Sequence, residues 1–339
     1  MTKHNVIAID IAKNVFQVCG MNSRQRITFN KALRRKNLTA FMVKQPLTTV
    51  VMEACYSSHY WGRCFETMGH QVKLLPAQHV APFVRGNKSD HNDAVAIAEA
   101  AHRPNIIPVP IKSLAQQDIQ ALHRLRERYL SQRTALINQT RGLLSEYGIV
   151  APQGHRPFCR LLREPDQAGG AELSALLKVQ IAQVAEEYYG LTDRIDELTG
   201  VLTAIATSNP LCTRLMAIPG IGVINATAIV SAIGNGSQFS NGREFAVWLG
   251  LTPRQASSGD SFKSGGITKR GNQYLRKQLI HGARAALARC KKKSDGLSRW
   301  VNQLVARRGV HKATVALAAR QARIAWVLLQ KEQDYRPLP

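Results

Sequence analysis

Short apolar runs and stretches with helical spacing alternate over the first third of the chain. Apolar runs bounded by turn residues predict strands, the first three as a meander, at residues 6–12, 15–19, 26–29, 48–52 and 71–75. Apolar residues at helical spacing predict helices at residues 37–44, 60–68, 77–84 and 89–101. The order is three strands, helix, strand, helix, strand and then helices, which is that of a ribonuclease-H-like fold.

Helical spacing dominates the rest of the chain. Two long helices are predicted at residues 114–147 and 173–205, joined by a loop at 148–170 that is rich in Pro, Gly and Arg. Such a pair favours an antiparallel hairpin or coiled-coil arm, which is a natural place for dimer contacts. Residues 211–331 are predicted to be mostly helical, with a Gly- and Ser-rich loop at 250–271 before two helices rich in Arg, Lys and Ala.

The charge balance changes this picture from a generic α/β protein to one with a polyanionic partner. The 339 residues include 46 Lys and Arg against 22 Asp and Glu, a formal net charge of +24. Self-repulsion of this size destabilises a compact state, and binding to nucleic acid phosphates relieves it. An anionic membrane is the weaker interpretation, because the basic residues are spread over many segments rather than gathered on one amphipathic helix.

The six cysteines and the apolar runs indicate the compartment. No CxxC pair and no Cys/His cluster with zinc-ligand spacing occurs, so the cysteines are interpreted as reduced core residues of a cytosolic protein. The first apolar stretch contains Asp10 and is therefore not interpreted as a signal peptide. No apolar run approaches membrane-spanning length. We expect a cytoplasmic protein with no membrane partner.

Four acidic residues are the first candidates for chemistry. Asp10 lies within a predicted buried strand, where a carboxylate is costly unless it is paired or bound to metal, and Glu53 ends a second such strand. Asp90 and Asp93 share one face at the start of a predicted helix. Taken alone, they have a structural explanation, since acids in a first turn suit the helix dipole and Ser89 or Asp90 could cap it.

Taken together, the four acids favour a metal site. A ribonuclease-H-like sheet places its first strand beside the strand that follows its first helix, and a later helix brings its acids to the same edge. Four converging carboxylates repel one another unless divalent cations neutralise them, and hard oxygen ligands suit Mg²⁺. Two such ions can activate the attacking oxygen and stabilise the leaving oxygen of a phosphodiester. The sequence therefore predicts phosphoryl transfer on nucleic acid.

A glycine-rich turn precedes an apolar helix in the C-terminal part. Gly220 and Gly222 in Pro219–Gly222 would let backbone N–H groups approach a phosphate, as in a helix-hairpin-helix. The alternative is a plain tight turn between helices. The basic composition favours binding to the DNA backbone.

The predicted loop at 250–271 combines small residues with cations, which suits a mobile loop beside a phosphate backbone. A flexible surface turn is the alternative. No nearby His–Asp pair marks a serine triad, so the residues alone do not choose among Ser257, Ser258 and Ser261 as a nucleophile. The candidate phosphate contacts are Arg254, Lys263, Lys269, Arg270 and Arg276, and further positive charge follows at Arg284, Arg289, Lys291, Lys292, Lys293, Arg307, Arg308 and Lys312.

Five short motifs in order resemble a known family. They are IAIDIAK at 7–13, MEA at 52–54, KSDHNDA at 88–94, IPGIG at 218–222 and GLTP at 250–253. The set resembles the DEDD transposases of bacterial insertion sequences, a family of bridge-RNA-guided recombinases, over nearly the whole chain. In one departure, Cys55–Tyr56 follows Glu-Ala, where the family commonly has a small residue and Gly.

The resemblance implies an architecture and a set of catalytic groups. The family has a RuvC-like domain, a coiled-coil connection and a C-terminal transposase domain, which implies boundaries at 1–112, 113–207 and 208–339. Its DEDD carboxylates bind Mg²⁺, which Mn²⁺ could replace, and they correspond to Asp10, Glu53, Asp90 and Asp93. Its serine nucleophile corresponds best to Ser258, which precedes Gly259, with Ser257 as the alternative.

The resemblance also implies chemistry and partners. The serine hydroxyl would attack a scissile phosphate to give a 5′-phosphoserine link and a free 3′-OH, and the reverse step would join another end. Lys13 is a candidate phosphate contact. The implied partners are donor DNA, target DNA and a structured guide RNA, with dimers pairing into a tetramer in which the metal and serine domains meet across protomers. The expected location is the bacterial cytoplasm, in association with the nucleoid.

Two other functions remain open at this point. The first is a metal-dependent nuclease or Holliday-junction resolvase in which water attacks and Ser258 only contacts the backbone. The second is a non-catalytic nucleic-acid-binding protein whose four acids are helix caps and core pairs. The second treats four aligned carboxylates as coincidence and is the weakest of the three.

Overall fold

The computed structural model describes residues 4–87, 89–150, 153–164, 169–170, 172–291 and 293–336. The chain divides into two compact units after Ser113. Lys88, which belongs to the KSDHNDA motif, and Lys292, one of the basic residues named above, lie outside the described residues. No described helix has both the length and the apolar character needed to cross a membrane.

The first unit is built on a five-stranded mixed sheet of the order β3-β2-β1-β4-β5. The first three strands are antiparallel neighbours, and β1, β4 and β5 run parallel. The strands are β1 (His4–Asp10), β2 (Val15–Asn22), β3 (Ile27–Arg34), β4 (Thr49–Glu53) and β5 (Gln71–Leu75). The helices are α1 (Arg35–Val43), α2 (Ser58–Thr67), α3 (Ala77–Val80, followed by the 3₁₀ turn Ala81–Phe83) and α4 (Asp90–Ala100).

Helices cover both faces of this sheet because its central strands are apolar on both sides. Ile7 and Ile9 pack in one cluster with residues of α1 and α2, whereas Ala8 packs in another with residues of α4. This alternation is what a strand of period two gives when both faces are buried. The mixed sheet with helices on both faces fits the predicted ribonuclease-H-like fold.

The second unit is almost entirely helical. Two long helices, α5 (Leu114–Ser145) and α7 (Ala175–Ser208), pack against each other and also contact α9, so this hairpin belongs to the same compact unit as the C-terminal helices. The remaining elements are α6 (His155–Arg163), α8 (Pro210–Met216), α9 (Val223–Ile233), α10 (Gly242–Trp248), β6 (Pro253–Ser258), β7 (Ser261–Ile267), α11 (Gln273–Cys290), α12 (Gly296–Arg308) and α13 (Val310–Lys331). A coiled-coil geometry and the finer boundary at 207/208 stay predictions.

Four local predictions are wrong. The predicted loop at 148–170 contains α6, because Phe158, Leu161 and Leu162 bury one face of a short helix. The predicted loop at 250–271 contains the hairpin β6–β7. Three helices follow it rather than two, since Gly309 with φ 79° separates α12 from α13. The helix predicted at 37–44 begins earlier, at Arg35, without a side-chain cap.

All six cysteines are free thiols, but they are not all core residues. Cys19, Cys212 and Cys290 are buried, as expected. Cys55, Cys64 and Cys159 are partly exposed, so the sequence-based expectation of six core cysteines is wrong for these three.

Candidate active site

Two of the four candidate carboxylates stand side by side at one edge of the sheet. Asp10 is the last residue of β1 and Glu53 is the last residue of β4. These strands are parallel, and Ile9 pairs with Met52, one residue before each acid. Parallel strands present their carboxyl ends at the same edge, so both side chains leave the sheet there.

The other two candidate carboxylates lie in the first turn of α4. Ser89 caps this helix, and its hydroxyl accepts a hydrogen bond from the Asn92 N–H at 3.3 Å. Asp90 is exposed and Asp93 is half-buried. The capping role considered above therefore belongs to Ser89, which leaves both carboxylates available for other contacts.

A chain of hydrogen bonds joins the sheet to the start of α4. Gln17 of β2 pairs with Asp10 across the strands, and its Nε2 donates to Asn30 Oδ1 at 2.6 Å. Asn30 Nδ2 then donates to the carbonyl oxygen of His91 at 3.1 Å, between the two acids of α4. Gln17 and Asn30 are not predictable from the sequence as part of the site, because only the register of β2 on β3 shows that they share a face.

The electrostatics of Asp10 show that the other three candidate acids act on it. Burial, which is the largest cause, and the charges of Asp93, Asp90 and Glu53, in decreasing order, together raise the pKa of Asp10 from its ordinary 3.8 to about 6. The Ile11 N–H acts in the opposite direction through a hydrogen bond. The acids that were singled out along the sequence therefore converge around Asp10.

The converging acids do not form a closed ligand cluster. In the described part of the chain, no group of three or more His, Cys, Asp or Glu side chains is close enough together to hold a metal ion. Mutual repulsion keeps carboxylates apart in the absence of a counter-charge. The donor set still fits a hard divalent cation, since it offers carboxylate oxygens on a sheet edge and on an exposed helix turn.

The thiol that departs from the family pattern lies beside these acids. Burial, which is the largest cause, and the charges of Glu53 and Asp10 together raise the pKa of Cys55 to about 11. The thiol is therefore neutral at physiological pH and is a poor metal ligand, because thiolates are the ligating form. Ser57 takes the left-handed conformation, with φ 59°, just before α2.

The candidate serines lie on the exposed hairpin β6–β7. Ser258 is the last residue of β6 and pairs with Ser261, whereas Ser257 pairs with Phe262. In an antiparallel pair, directly opposite residues lie on the same face, and so do residues two apart along one strand. Ser258 therefore shares its face with Arg254 of β6 and with Lys263 of β7. Ser257 shares the other face with Phe262, which is 65% exposed. The hairpin thus gives Ser258 the more cationic surroundings.

The predicted phosphate contacts differ in whether their side chains are exposed or already hydrogen-bonded within the protein. Lys13 is exposed three residues after Asp10. Arg276 is held by the protein, because its Nη1 donates to the carbonyl oxygens of Leu249 and Arg270, both at 2.9 Å. It anchors the base of the hairpin rather than extending towards a ligand. The exposed members of the predicted set are Arg254, Lys263, Lys269 and Arg270.

The glycine turn before α9 is packed against other helices. Gly220 has φ 89°, and a Cβ there would meet Gln321 and the Gly282 carbonyl oxygen. Gln321 Nε2 donates to the Pro219 carbonyl oxygen at 2.6 Å, and Asn225 Nδ2 donates to that of Gly220 at 3.1 Å. This packing fits the plain tight turn, which was the alternative for this motif. Gly222 is exposed and faces open space, and a helix-hairpin-helix stays a prediction.

Comparison with known proteins gives matches along almost the entire chain. A profile of the IS110-type DEDD transposases matches residues 7–149, and a profile of the transposase family IS116/IS110/IS902 matches residues 212–298. A probable family 20 transposase of Pseudomonas aeruginosa is 43% identical over 98% of this chain and 98% of its own length. The transposase for insertion sequence element IS1111A of Coxiella burnetii is 39% identical over 98% of this chain and 91% of its own. The transposase for IS1328 of Yersinia enterocolitica is 35% identical over 97% of both chains.

Proposed function

This chain belongs to the IS110 family of DEDD transposases and is a DNA transposase, and we propose that it cuts and rejoins DNA strands by Mg²⁺-assisted phosphoryl transfer to Ser258. The observation that carries the proposal is that Asp10 and Glu53 end neighbouring parallel strands, while Asp90 and Asp93 of α4 are near enough to raise the pKa of Asp10. Structural capping does not account for it, because Ser89 already caps α4 and none of these acids is needed there.

The four acids have separate roles in the proposed site. DEDD transposases typically use divalent metal, and such ions would supply charge neutralisation for the attacking and leaving oxygens of the phosphodiester. Asp10 and Glu53 would hold that charge from rigid strand ends, and Asp90 and Asp93 would close the site from α4. Lys13, three residues beyond β1, would contact a phosphate of the bound strand.

Ser258 would be the attacking group. Its Oγ forms a bond to phosphorus, the bond from phosphorus to the 3′ oxygen breaks, and that oxygen leaves as a 3′-OH with the proton that the serine gives up. The 5′-phosphoserine link conserves the phosphodiester energy for rejoining to another 3′-OH. Lys263 and Arg254, on the same face of the hairpin, would offset the phosphate charge during the attack.

The family resemblance extends the proposal to partners and assembly. We propose that a structured guide RNA selects donor and target DNA by base pairing. The arm of α5 and α7 would carry dimer contacts, and dimers would pair into a tetramer. The acids of one protomer and Ser258 of another would then act on one phosphate, in a nucleoid-associated cytoplasmic complex.

A metal-dependent nuclease is the second candidate function. No histidine accompanies the serines within residues 253–267, so the hairpin itself offers no neutral-pH base for a hydroxyl. In this alternative, water attacks the phosphate and Ser258 only contacts the backbone.

The metal role is tested by cleavage of end-labelled element DNA with guide RNA and Mg²⁺. We expect Asp10→Asn and Glu53→Gln to lower the cleavage rate at least about a hundredfold, since each removes charge that stabilises the transition state. Glu66→Gln is the matched control, because Glu66 is an exposed acid of the same unit on α2. Full activity of Asp10→Asn would overturn the proposed site.

A further inference from the structure

Two adjoining cavities lie along the helical arm, in a part of the second unit to which the proposed chemistry gives no role. One has a volume of about 430 Å³ and the other about 470 Å³, and His155 lines both. Five arginines line them, against two acids, Glu164 and Asp196. The arginines are Arg133 and Arg141 of α5 and Arg156, Arg160 and Arg163 of α6. We call this surface the arm groove.

The short helix α6 is fixed so that its basic face stays outward. Phe158, Leu161 and Leu162 are buried, and they pack in one cluster with residues of α5 and α7. The opposite face carries Arg156, Arg160 and Arg163, all exposed. These arginines are four and three residues apart, so they form one row with steps of roughly 4.5–6 Å along the helix axis.

The floor of the arm groove is preorganised by contacts within the arm. Arg133 Nη1 donates to Thr192 Oγ1 at 3.3 Å, and Arg141 Nη2 donates to the Gly154 carbonyl oxygen at 3.5 Å. The Arg141 guanidinium also lies 5.7 Å from the centre of the Phe158 ring. The contact of Arg133 uses one of the five N–H donors that a guanidinium carries.

We propose that the arm groove binds the phosphodiester backbone of nucleic acid. The guanidinium fork matches phosphate oxygens in geometry and charge, and a row of cations one helical turn apart suits a chain of phosphates. A second copy that placed its own arm groove here would be a poor occupant, because two like-charged surfaces would meet. The dimer contacts proposed for α5 and α7 would then lie on other faces of these helices. The inference rests on the proposed function only in taking nucleic acid as the partner.

The test measures binding in a chelator, where metal-dependent chemistry cannot contribute. The triple variant Arg156→Gln/Arg160→Gln/Arg163→Gln removes three exposed charges and leaves the buried face of α6 intact. The control Arg24→Gln/Arg26→Gln/Arg34→Gln removes three exposed charges from the first unit. Anisotropy of a labelled random-sequence RNA hairpin and of a DNA duplex gives Kd as a function of salt, and circular dichroism checks folding.

We expect the α6 variant, and not the control, to weaken binding and to reduce the slope of log Kd against log salt by about 2 to 3. A reduced slope with the RNA hairpin alone, with the DNA duplex alone or with both shows which nucleic acid the arm groove binds. A slope that is unchanged for both probes, or that falls equally in the control, would overturn the arm groove as a binding site. If the α6 variant shows the reduced slope of log Kd against log salt but cleaves bound DNA at the wild-type rate, the arm groove binds nucleic acid and the catalytic proposal is unaffected.

Discussion

At the scale of single residues, burial and neighbouring negative charges both raise the pKa of the Asp10 carboxyl group. Asp10 ends a buried strand, and three other acids act on it electrostatically. Ser258 has the opposite setting, since it is exposed on a hairpin of two strands that pair with each other. The fold therefore sets the pKa of Asp10 through burial and neighbouring charges. The reactivity of the exposed Ser258 depends instead on groups that would bind next to it.

The raised pKa of Asp10 predicts a pH effect on the metal-free protein. Between its ordinary value of 3.8 and about 6, the folded protein holds a proton that the unfolded chain releases. This contribution favours folding at low pH and is lost as the pH rises through about 6. Over that range we expect wild type to lose more stability than Asp10→Asn, by about 1 kcal/mol after allowance for solvent screening.

Thermal unfolding in chelator, followed across that pH range, measures this difference. Asp118→Asn serves as the control, because Asp118 is an exposed acid of α5. Parallel pH trends for wild type and Asp10→Asn would show that the acids do not act on Asp10 as described.

At the scale of elements, the site depends on how α4 is held against the sheet. Asn30→Ala removes the hydrogen bonds to Gln17 and to the His91 carbonyl oxygen. We expect the divalent-ion concentration for half-maximal cleavage to rise about tenfold, with nucleic-acid affinity unchanged, because the first turn of α4 loses its fixed position.

Two further variants separate positioning from general destabilisation. Asn30→Gln keeps the same polar groups and should recover part of the metal response. Thr49→Ala removes a 3.0 Å hydrogen bond to Gln71 at the far end of β4 and should leave that response unchanged. An Asn30→Ala protein that differs from wild type only in melting temperature would refute a positioning role.

The packed glycine turn gives a prediction about stability. A Cβ at Gly282 of α11 would overlap the backbone carbonyl of Gly220, which cannot move without separating the turn from the helix. We expect Gly282→Ala to cost about 1–3 kcal/mol in thermal unfolding. Gly222→Ala is the matched control, because a Cβ there meets nothing within 4 Å, and equal losses in the two proteins would contradict this packing.

The elements that the sequence predicted well are those whose apolar period matches burial. β5 was placed at 71–75, where it lies, because Leu74 and Leu75 end a run bounded by Gly69 and Pro76. β6 and β7 have no such period, since almost all their residues are exposed and they are held by pairing with each other. In α6 the spacing of Phe158, Leu161 and Leu162 carried a helical signal that the surrounding Pro, Gly and Arg obscured.

The four acids of the candidate site could be predicted from the sequence, but the residues that hydrogen-bond around them could not. Asp10, Glu53, Asp90 and Asp93 could be picked out because acids at the ends of buried strands and in a first helical turn stand out along the sequence. Gln17 and Asn30 are ordinary polar residues of strands, and only the register of three strands shows that they connect Asp10 to α4. The contact of Gly220 with Gly282 spans sequence positions that no local pattern relates.

At the scale of the whole molecule, the net charge of +24 exceeds what the proposed catalytic groups need. The acids converge in the first unit, the serine hairpin belongs to the second, and the arm groove adds five arginines that the chemistry does not use. DNA and the proposed guide RNA are polyanionic partners that this excess positive charge would bind.

Covalent trapping is the measurement that tests the central claim most directly. The protein is incubated with guide RNA, Mg²⁺ and end-labelled donor DNA, and a denaturing gel is searched for a labelled protein adduct. We expect an adduct with wild type and with Ser257→Ala, and none with Ser258→Ala or Asp10→Asn. Cleavage without any adduct would contradict the serine mechanism and assign the attack to water.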